Sequence, residues 1–244
     1  MNKAMYLIKQ SINPNTLDLY IYDYVEGDSY DWWTDEKIES QTSANYIQKQ
    51  LENAKDVNQI NIYINSYGGE VKEGLAIYNQ LKRNTAQKTV YVDGFACSIA
   101  SVIAMAGDKI IMGNNTLMMI HHASMGAWGN AEELRKAAND VEVIDKASCS
   151  SYLAKAGDKL SEETLNQLLD NQTWLNAEQC LQYGLCDEIA GKENEEIEKA
   201  QQRFNSAIKQ QIEGLRQGVK VPERFASQKT NAEKLMHAFK NNIN

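Results

Sequence analysis

Two short β-branched segments each run into glycine and then into helical spacing, and this repeated strand–turn–helix step constrains the chain more than any other feature. Gln59–Asn65 (QINIYIN) is broken by Ser66-Tyr67-Gly68-Gly69, after which Val71, Leu75, Tyr78 and Leu81 follow every three to four residues. Lys88–Asp93 (KTVYVD) stops at Gly94 and leads to a small-residue helix from Ser98 to Ala106, closed by Gly107. Leu17–Val25 (LDLYIYDYV) alternates as a strand, and the polar, acidic EGDSYDWW after it predicts a loop. Spacing from Thr34 to Ala54 predicts a helix with Ile38, Ala44, Ile47 and Leu51 inward and Thr34 at its N-cap. Asp108–Met112 and Leu117–His121 read as strands, 131–156 as a long helix, and 161–170 and 176–183 as shorter ones. Strands alternating with helices define an α/β domain.

The 244 residues suit one domain plus an extension, or two small domains, and 43% hydrophobic residues suffice for a full core. Charge is uneven. Residues 192–244 hold ten Lys/Arg against seven Asp/Glu, whereas residues 1–191 hold 15 against 26, which puts a boundary near Gly191. In the extension Ile197, Phe204, Ile208, Ile212 and Leu215 keep helical spacing; Gly214, Gly218 and Pro222 interrupt; and a second amphipathic stretch spans about 223–239. The formal charge of −8 gives no reason to expect nucleic-acid binding. No apolar run approaches the roughly 20 residues of a membrane-spanning helix, and the opening MNKAMYLIKQ does not read as a signal peptide. Cys97, Cys149, Cys180 and Cys186 lack CxxC spacing and do not cluster with histidine. That argues against zinc and fits reduced thiols, so the expectation is a cytoplasmic protein with no metal or cofactor.

Acyl transfer needs a nucleophile, a base and donors for an oxyanion, and the two glycine turns are the candidates. Gly68-Gly69 lets the backbone turn sharply and offers free N–H groups where a helix begins; the plain alternative is a loop that glycine merely relieves. Ser98 stands at the first turn of a helix, with the next N–H facing the same side; the plain alternative is an N-cap. The three histidines are His121, His122 and His237, the last in the charged extension. His121 and His122 end the strand LMMIHH, where alternation sends them to opposite faces, so at most one meets Ser98. The alternative for either is a satisfied, half-buried histidine. Adjacent histidines do not readily share one zinc ion, and no third ligand is spaced nearby.

Asn65-Ser66-Tyr67-Gly68-Gly69, Gly74-Leu75-Ala76-Ile77-Tyr78, Ser98 in its glycine-led turn, Met119-Ile120-His121, and Tyr183-Gly184-Leu185 with Asp187 together resemble the ClpP proteolytic subunit family over about residues 17–190. Ala127-Trp128-Gly129-Asn130-Ala131 is similar to the bacteriophage and prophage branch, the ClpP-related head maturation proteases. The resemblance implies a crotonase-like spiral of ββα units and rings that enclose their active sites. Carried over by position, it implies a serine-type endopeptidase with Ser98 as nucleophile, His121 as base, and the Gly69 and Ile99 amides as oxyanion hole. Ala123-Ser124-Met125-Gly126 matches the string around the nucleophile in many relatives. It follows His121, however, and the 29 residues from Gly69 to Ser98 fit the family where 55 to Ser124 do not. Ser124 is therefore read as a loop residue that can face substrate.

Three positions depart from the family. Tyr67 replaces the proline before the glycine pair, and His122 replaces the glutamine after the histidine. Gln172 stands where the third triad member belongs, leaving Asp170 as the nearest carboxylate to orient His121. The expected partners are a homo-oligomeric ring, protein or peptide substrates, and either an AAA+ unfoldase or phage capsid or scaffold proteins. The helical extension is read as packed on the parent domain or partly disordered, or else as an arm for assembly. Two other functions stay open: a non-catalytic ring-forming assembly protein, and a crotonase-type acyl-CoA enzyme, which also uses paired amides.

Overall fold

Side-chain alternation in the central strands lays apolar rows across one face of a sheet. The structure, a computed structural model, describes residues 15–54, 56–191 and 206. Strands β1 (Thr16–Ile21), β4 (Gln59–Ser66), β5 (Gln87–Cys97), β6 (Lys109–Gly113) and β9 (Glu188–Ala190) lie side by side in that order, all parallel. Their register aligns Leu19, Ile62, Val90 and Ile110 in one row and Ile21, Ile64, Val92, Met112 and Ile189 in the next, every one buried. Burying each such side chain contributes about 1.5–3 kcal/mol. The same core takes Ile47 of α1 (Ala44–Asn53), Ile77 and Leu81 of α2 (Val71–Arg83), and all of α3 (Ile99–Ala104). Parallel sheets are normally covered on both faces. On the other face Tyr20, Tyr63 and Tyr91 stack at 4.9 and 5.2 Å between ring centres and screen the strands beneath.

β5 serves two partners, and this positions the site. It pairs with β6 through Thr89–Val92 and with β7 (Leu117–Met119) through Phe95–Cys97. Between these stretches its register with β4 slips, from Ile64↔Val92 to Ser66↔Ala96, a bulge that bends the strand. Asn65 Oδ1 fills the bend and accepts the Phe95 N–H at 3.2 Å. Gly94 makes room for it, since a Cβ there would lie 2.4 Å from that oxygen. The bent end of β5 therefore delivers Ser98 beside β7. β8 (Trp174–Asn176) pairs antiparallel with β7 on its far side. The long α4 (Ala131–Ala156), then α5 (Glu162–Asp170) and α6 (Ala177–Tyr183), complete the fold.

The helix expected from Thr34 begins only at Ala44, with Ser43 as N-cap accepting the Tyr46 N–H. Residues before it form a hairpin, β2 (Ser29–Asp31) and β3 (Glu36–Ile38), so Thr34 caps nothing and Ile38 is exposed. The cause is local: Asp31 Oδ1 accepts the Trp33 and Thr34 N–H groups and closes a turn that competes with helix. The chain divides into two units, Met1–Gln201 and Gln202–Asn244, and the sheet and helices above belong to the first. The expected extension over 192–244, His237 included, lies outside the described residues apart from Ser206. Among the described residues no helix is long and apolar enough to cross a membrane.

Candidate active site

Ser98 is held in a backbone conformation that few side chains accept, φ 52° and ψ −128°. Three hydrogen bonds fix it there. Its N–H donates to Met119 O at 2.8 Å, and its carbonyl accepts the Ser101 N–H at 3.0 Å and the Ser101 hydroxyl at 2.5 Å. Ser101 in turn meets the hydroxyl of Tyr152 on α4 at 2.6 Å inside the core. Although Ser98 precedes α3, its side chain makes no capping bond, so the N-cap alternative does not describe it. The preceding Cys97 points into the core, where burial pushes its thiol up to about 11 and keeps it protonated at neutral pH. The half-buried Ser98 hydroxyl is thus the oxygen that this turn offers as a candidate nucleophile.

The glycine turn closes on the serine turn. Gly68 adopts φ 100°, and a Cβ on it would lie 2.7 Å from both Cys97 O and Ser98 Cβ. Gly69, at φ 152°, is clamped to Val25: the Val25 N–H donates to Gly68 O and the Glu70 N–H to Val25 O, both at 2.7 Å. Both flanking peptides face Val25, so the Gly69 N–H points to the other side. Ile99 is the first residue of α3, whose N–H has no acceptor within its helix. Gly69, Ser98, Ile99 and His121 line one cavity of about 60 Å³, with Ser124 and Tyr152 also on its wall.

His121 follows β7, and its ring is oriented by the backbone. Nδ1 lies 2.6 Å from the carbonyl oxygen of His122. A carbonyl only accepts, so Nδ1 carries the proton and Nε2 keeps a lone pair. Asp170, expected beside His121, instead approaches His122 Nε2 at 3.1 Å. The physical reason is the alternation of side chains past β7, which turns the two rings apart. Gln172 sits exposed at φ 47°, and among the described residues its side chain makes no hydrogen bond to His121.

The sequence reading missed Asp145 on α4. Its Oδ2 lies 2.6 Å from His122 Nδ1, and its Oδ1 accepts the Ala123 N–H at 2.6 Å. Burial draws the His122 imidazole down, but the hydrogen bond and charge of Asp145, then those of Asp170, outweigh it and raise its pKa above 6.5. No spacing signal marks an aspartate in mid-helix 23 residues from its partner.

A serine turn, a paired-glycine turn and a histidine on one small cavity make a candidate acyl-transfer site on an α/β sheet. The Clp protease family model matches residues 33–193, and the chain belongs to that family. The ATP-dependent Clp protease proteolytic subunit of Deinococcus radiodurans is 34% identical over 163 residues, covering 65% of this chain and 78% of its own length. ATP-dependent Clp protease proteolytic subunit 1 of Chlamydia abortus is 31% identical over 160 residues, covering 63% of this chain and 82% of its own. Among solved structures, a mutant ClpP1 from Listeria monocytogenes matches with a TM-score of 0.59 at 22% identity, over 75% of this chain and 95% of that one. The fold is accordingly the α/β fold of ClpP, as the motifs imply.

Proposed function

We propose that this chain is a serine endopeptidase that works inside a homo-oligomeric ring. His121 Nε2 takes the Ser98 proton as Oγ bonds to the peptide carbonyl carbon, and the Gly69 and Ile99 amides hold the resulting oxyanion. On collapse the C–N bond breaks, the imidazolium returns its proton to the leaving amine, and water then hydrolyses the Ser98 ester by the same base. The observation that carries this reading is Ser98 itself: it is held at φ 52°, free of any capping role, on the same cavity as His121. Because Asp170 meets His122, the reading rests on the Ser98–His121 dyad.

Exposed apolar side chains on and before α4, namely Trp128, Leu134, Val143 and Ile144, support assembly into a ring. Substrates in this reading are proteins or peptides in the cytoplasm, where the four free thiols stay reduced. The segment Ala127–Ala131 supports a place in the phage and prophage branch, with capsid or scaffold proteins as substrates and residues 192–244 as a helical assembly arm. An AAA+ unfoldase is the partner to expect if the substrates are instead folded cellular proteins.

A fluorophosphonate probe with mass spectrometry tests the chemistry. The expected adduct is on Ser98 and is lost in His121→Ala. An assembled ring whose Ser98 takes no label would overturn the peptidase reading in favour of a non-catalytic assembly protein.

A further inference from the structure

Between His121 and the helix α4 lies one peptide group with a partner at each end. Its carbonyl, from His122, accepts the His121 Nδ1–H at 2.6 Å. Its N–H, from Ala123, donates to Asp145 Oδ1 at 2.6 Å. The peptide is trans, so its N–H and C=O point in opposite directions and can link two groups in line. We propose that Asp145 is a positioning residue for His121, acting through the His122–Ala123 peptide in place of a carboxylate on the imidazole. This rests on the serine-peptidase reading above and supplies that site with the acid its dyad otherwise lacks.

Three physical effects make the relay work. A carboxylate on the amide N–H polarises the peptide and strengthens its carbonyl as an acceptor, by about 10–30% for chained hydrogen bonds. That stronger acceptor holds the His121 proton on Nδ1 and leaves the lone pair on Nε2, on a ring that shares a cavity with Ser98. The second oxygen of Asp145 takes the His122 ring at 2.6 Å, which stops the peptide from rotating about its flanking bonds. Asp145 is well placed for both tasks, since its side chain is only 15% exposed. Asp170 is 71% exposed and touches only the far nitrogen of His122, so it contributes little to the peptide. Cys149, one turn along α4, lies 3.7 Å from Asp145 Oδ2; burial, ahead of the Asp145 charge, pushes its thiol up to about 12, so it adds no competing charge.

The test uses the full chain and two readouts. With only three histidines, nitrogen-15 NMR of the imidazole rings is assignable by single substitutions. The wild-type His121 ring is expected to carry its proton on Nδ1, and Asp145→Asn to mix the tautomers. Turnover of a fluorogenic peptide is expected to fall in kcat about 10- to 100-fold with KM little changed, the range typical of an outer partner that orients a reacting ligand. Asp170→Asn should change neither, and Asp145→Glu should restore part of the kcat. A wild-type His121 protonated on Nε2, or a tautomer unmoved by Asp145→Asn, overturns the relay. So does an Asp170→Asn variant as impaired as Asp145→Asn, because the effect would then run through the His122 ring. If Ser98 takes no fluorophosphonate while Asp145→Asn still mixes the tautomers, the peptidase reading falls and the relay stands.

Discussion

Replacing Ser98 by glycine should stabilise the protein while removing its proposed nucleophile. The residue sits at φ 52° and ψ −128°, a region where a side chain costs about 1–3 kcal/mol and glycine almost nothing. The same chain uses glycine in nearly the same conformation where no chemistry is needed: Gly157 has φ 56° and ψ −136°. Against the relief stands the extra freedom that glycine gives the unfolded chain, roughly 0.5–1 kcal/mol. The right reference is Ser98→Ala, which also removes the hydroxyl but keeps the Cβ and its strain. Losing the hydroxyl breaks no capping bond, so the two variants differ in strain and, in the opposite direction, in the freedom of the unfolded chain. The expected gap is about 1–2 kcal/mol in favour of glycine. For a chain of this size it corresponds to roughly 2–8 °C in Tm. Paired urea melts of the two variants read the gap, and fluorophosphonate labelling should be absent in both. A glycine variant no more stable than the alanine variant would refute the claim that the turn is strained at Ser98.

Gly68→Ala should lose about 2–4 kcal/mol and slow Ser98 labelling, because its Cβ would meet backbone and Ser98 Cβ at 2.7 Å from an unfavourable φ; Gly126→Ala, with open space around it, is the control in the same urea melts. His122 carries a pKa raised above 6.5, so its contribution to stability is full below that pH and is lost as pH rises through the folded value. Melts of wild type and His122→Gln should therefore differ more at acid than at alkaline pH, and a gap independent of pH would contradict the His122 pairings. Asp28 is held far below the usual carboxylate range by the Lys37 hydrogen bond, against its burial and with help from the Ser40 amide, Asn45 and Ser43. Asp28→Asn should cost about 1–3 kcal/mol at neutral pH. That difference should be complete above 3.8, the ordinary value, and vanish as pH falls through the depressed one, which acid titration of both melts would reveal.

How much of this was legible in the sequence depended on whether the signal was local. β4 and β5 announce themselves because Ile60, Ile62 and Ile64 alternate with polar residues and glycines stop the pattern. The hairpin of β2 and β3 was hidden because Ser29–Asp31 and Glu36–Ile38 bury little, so no alternation marks them. Thr34 looked like a cap, but the competing Asp31 turn is decided by two hydrogen bonds that spacing does not encode. The three-residue strands β8 and β9 exist only through their neighbours β7 and β6. At the site, the order and gaps of Gly69, Ser98 and His121 were enough to bring them to one cavity. The fate of Asp170 was not, because which of two adjacent imidazoles it meets depends on how the chain leaves β7. Asp145 had no chance of detection: its role is defined by a peptide N–H, which every residue but proline carries.

The bond from the Ser98 N–H to Met119 O has a mechanical consequence. The proposed nucleophile and base hang on one short rod, since His121 follows Met119 by two residues and Ile120 N–H is tied to Thr173 O. Any force on the rod carries both groups together and leaves their mutual geometry intact. The glycine turn has a second anchor of its own, at Val25. In the proposed mechanism, a subunit pulled or squeezed at β7 would therefore part only the Gly69 amide from Ser98, His121 and the neighbouring Ile99 amide, and would recover as soon as the load is released.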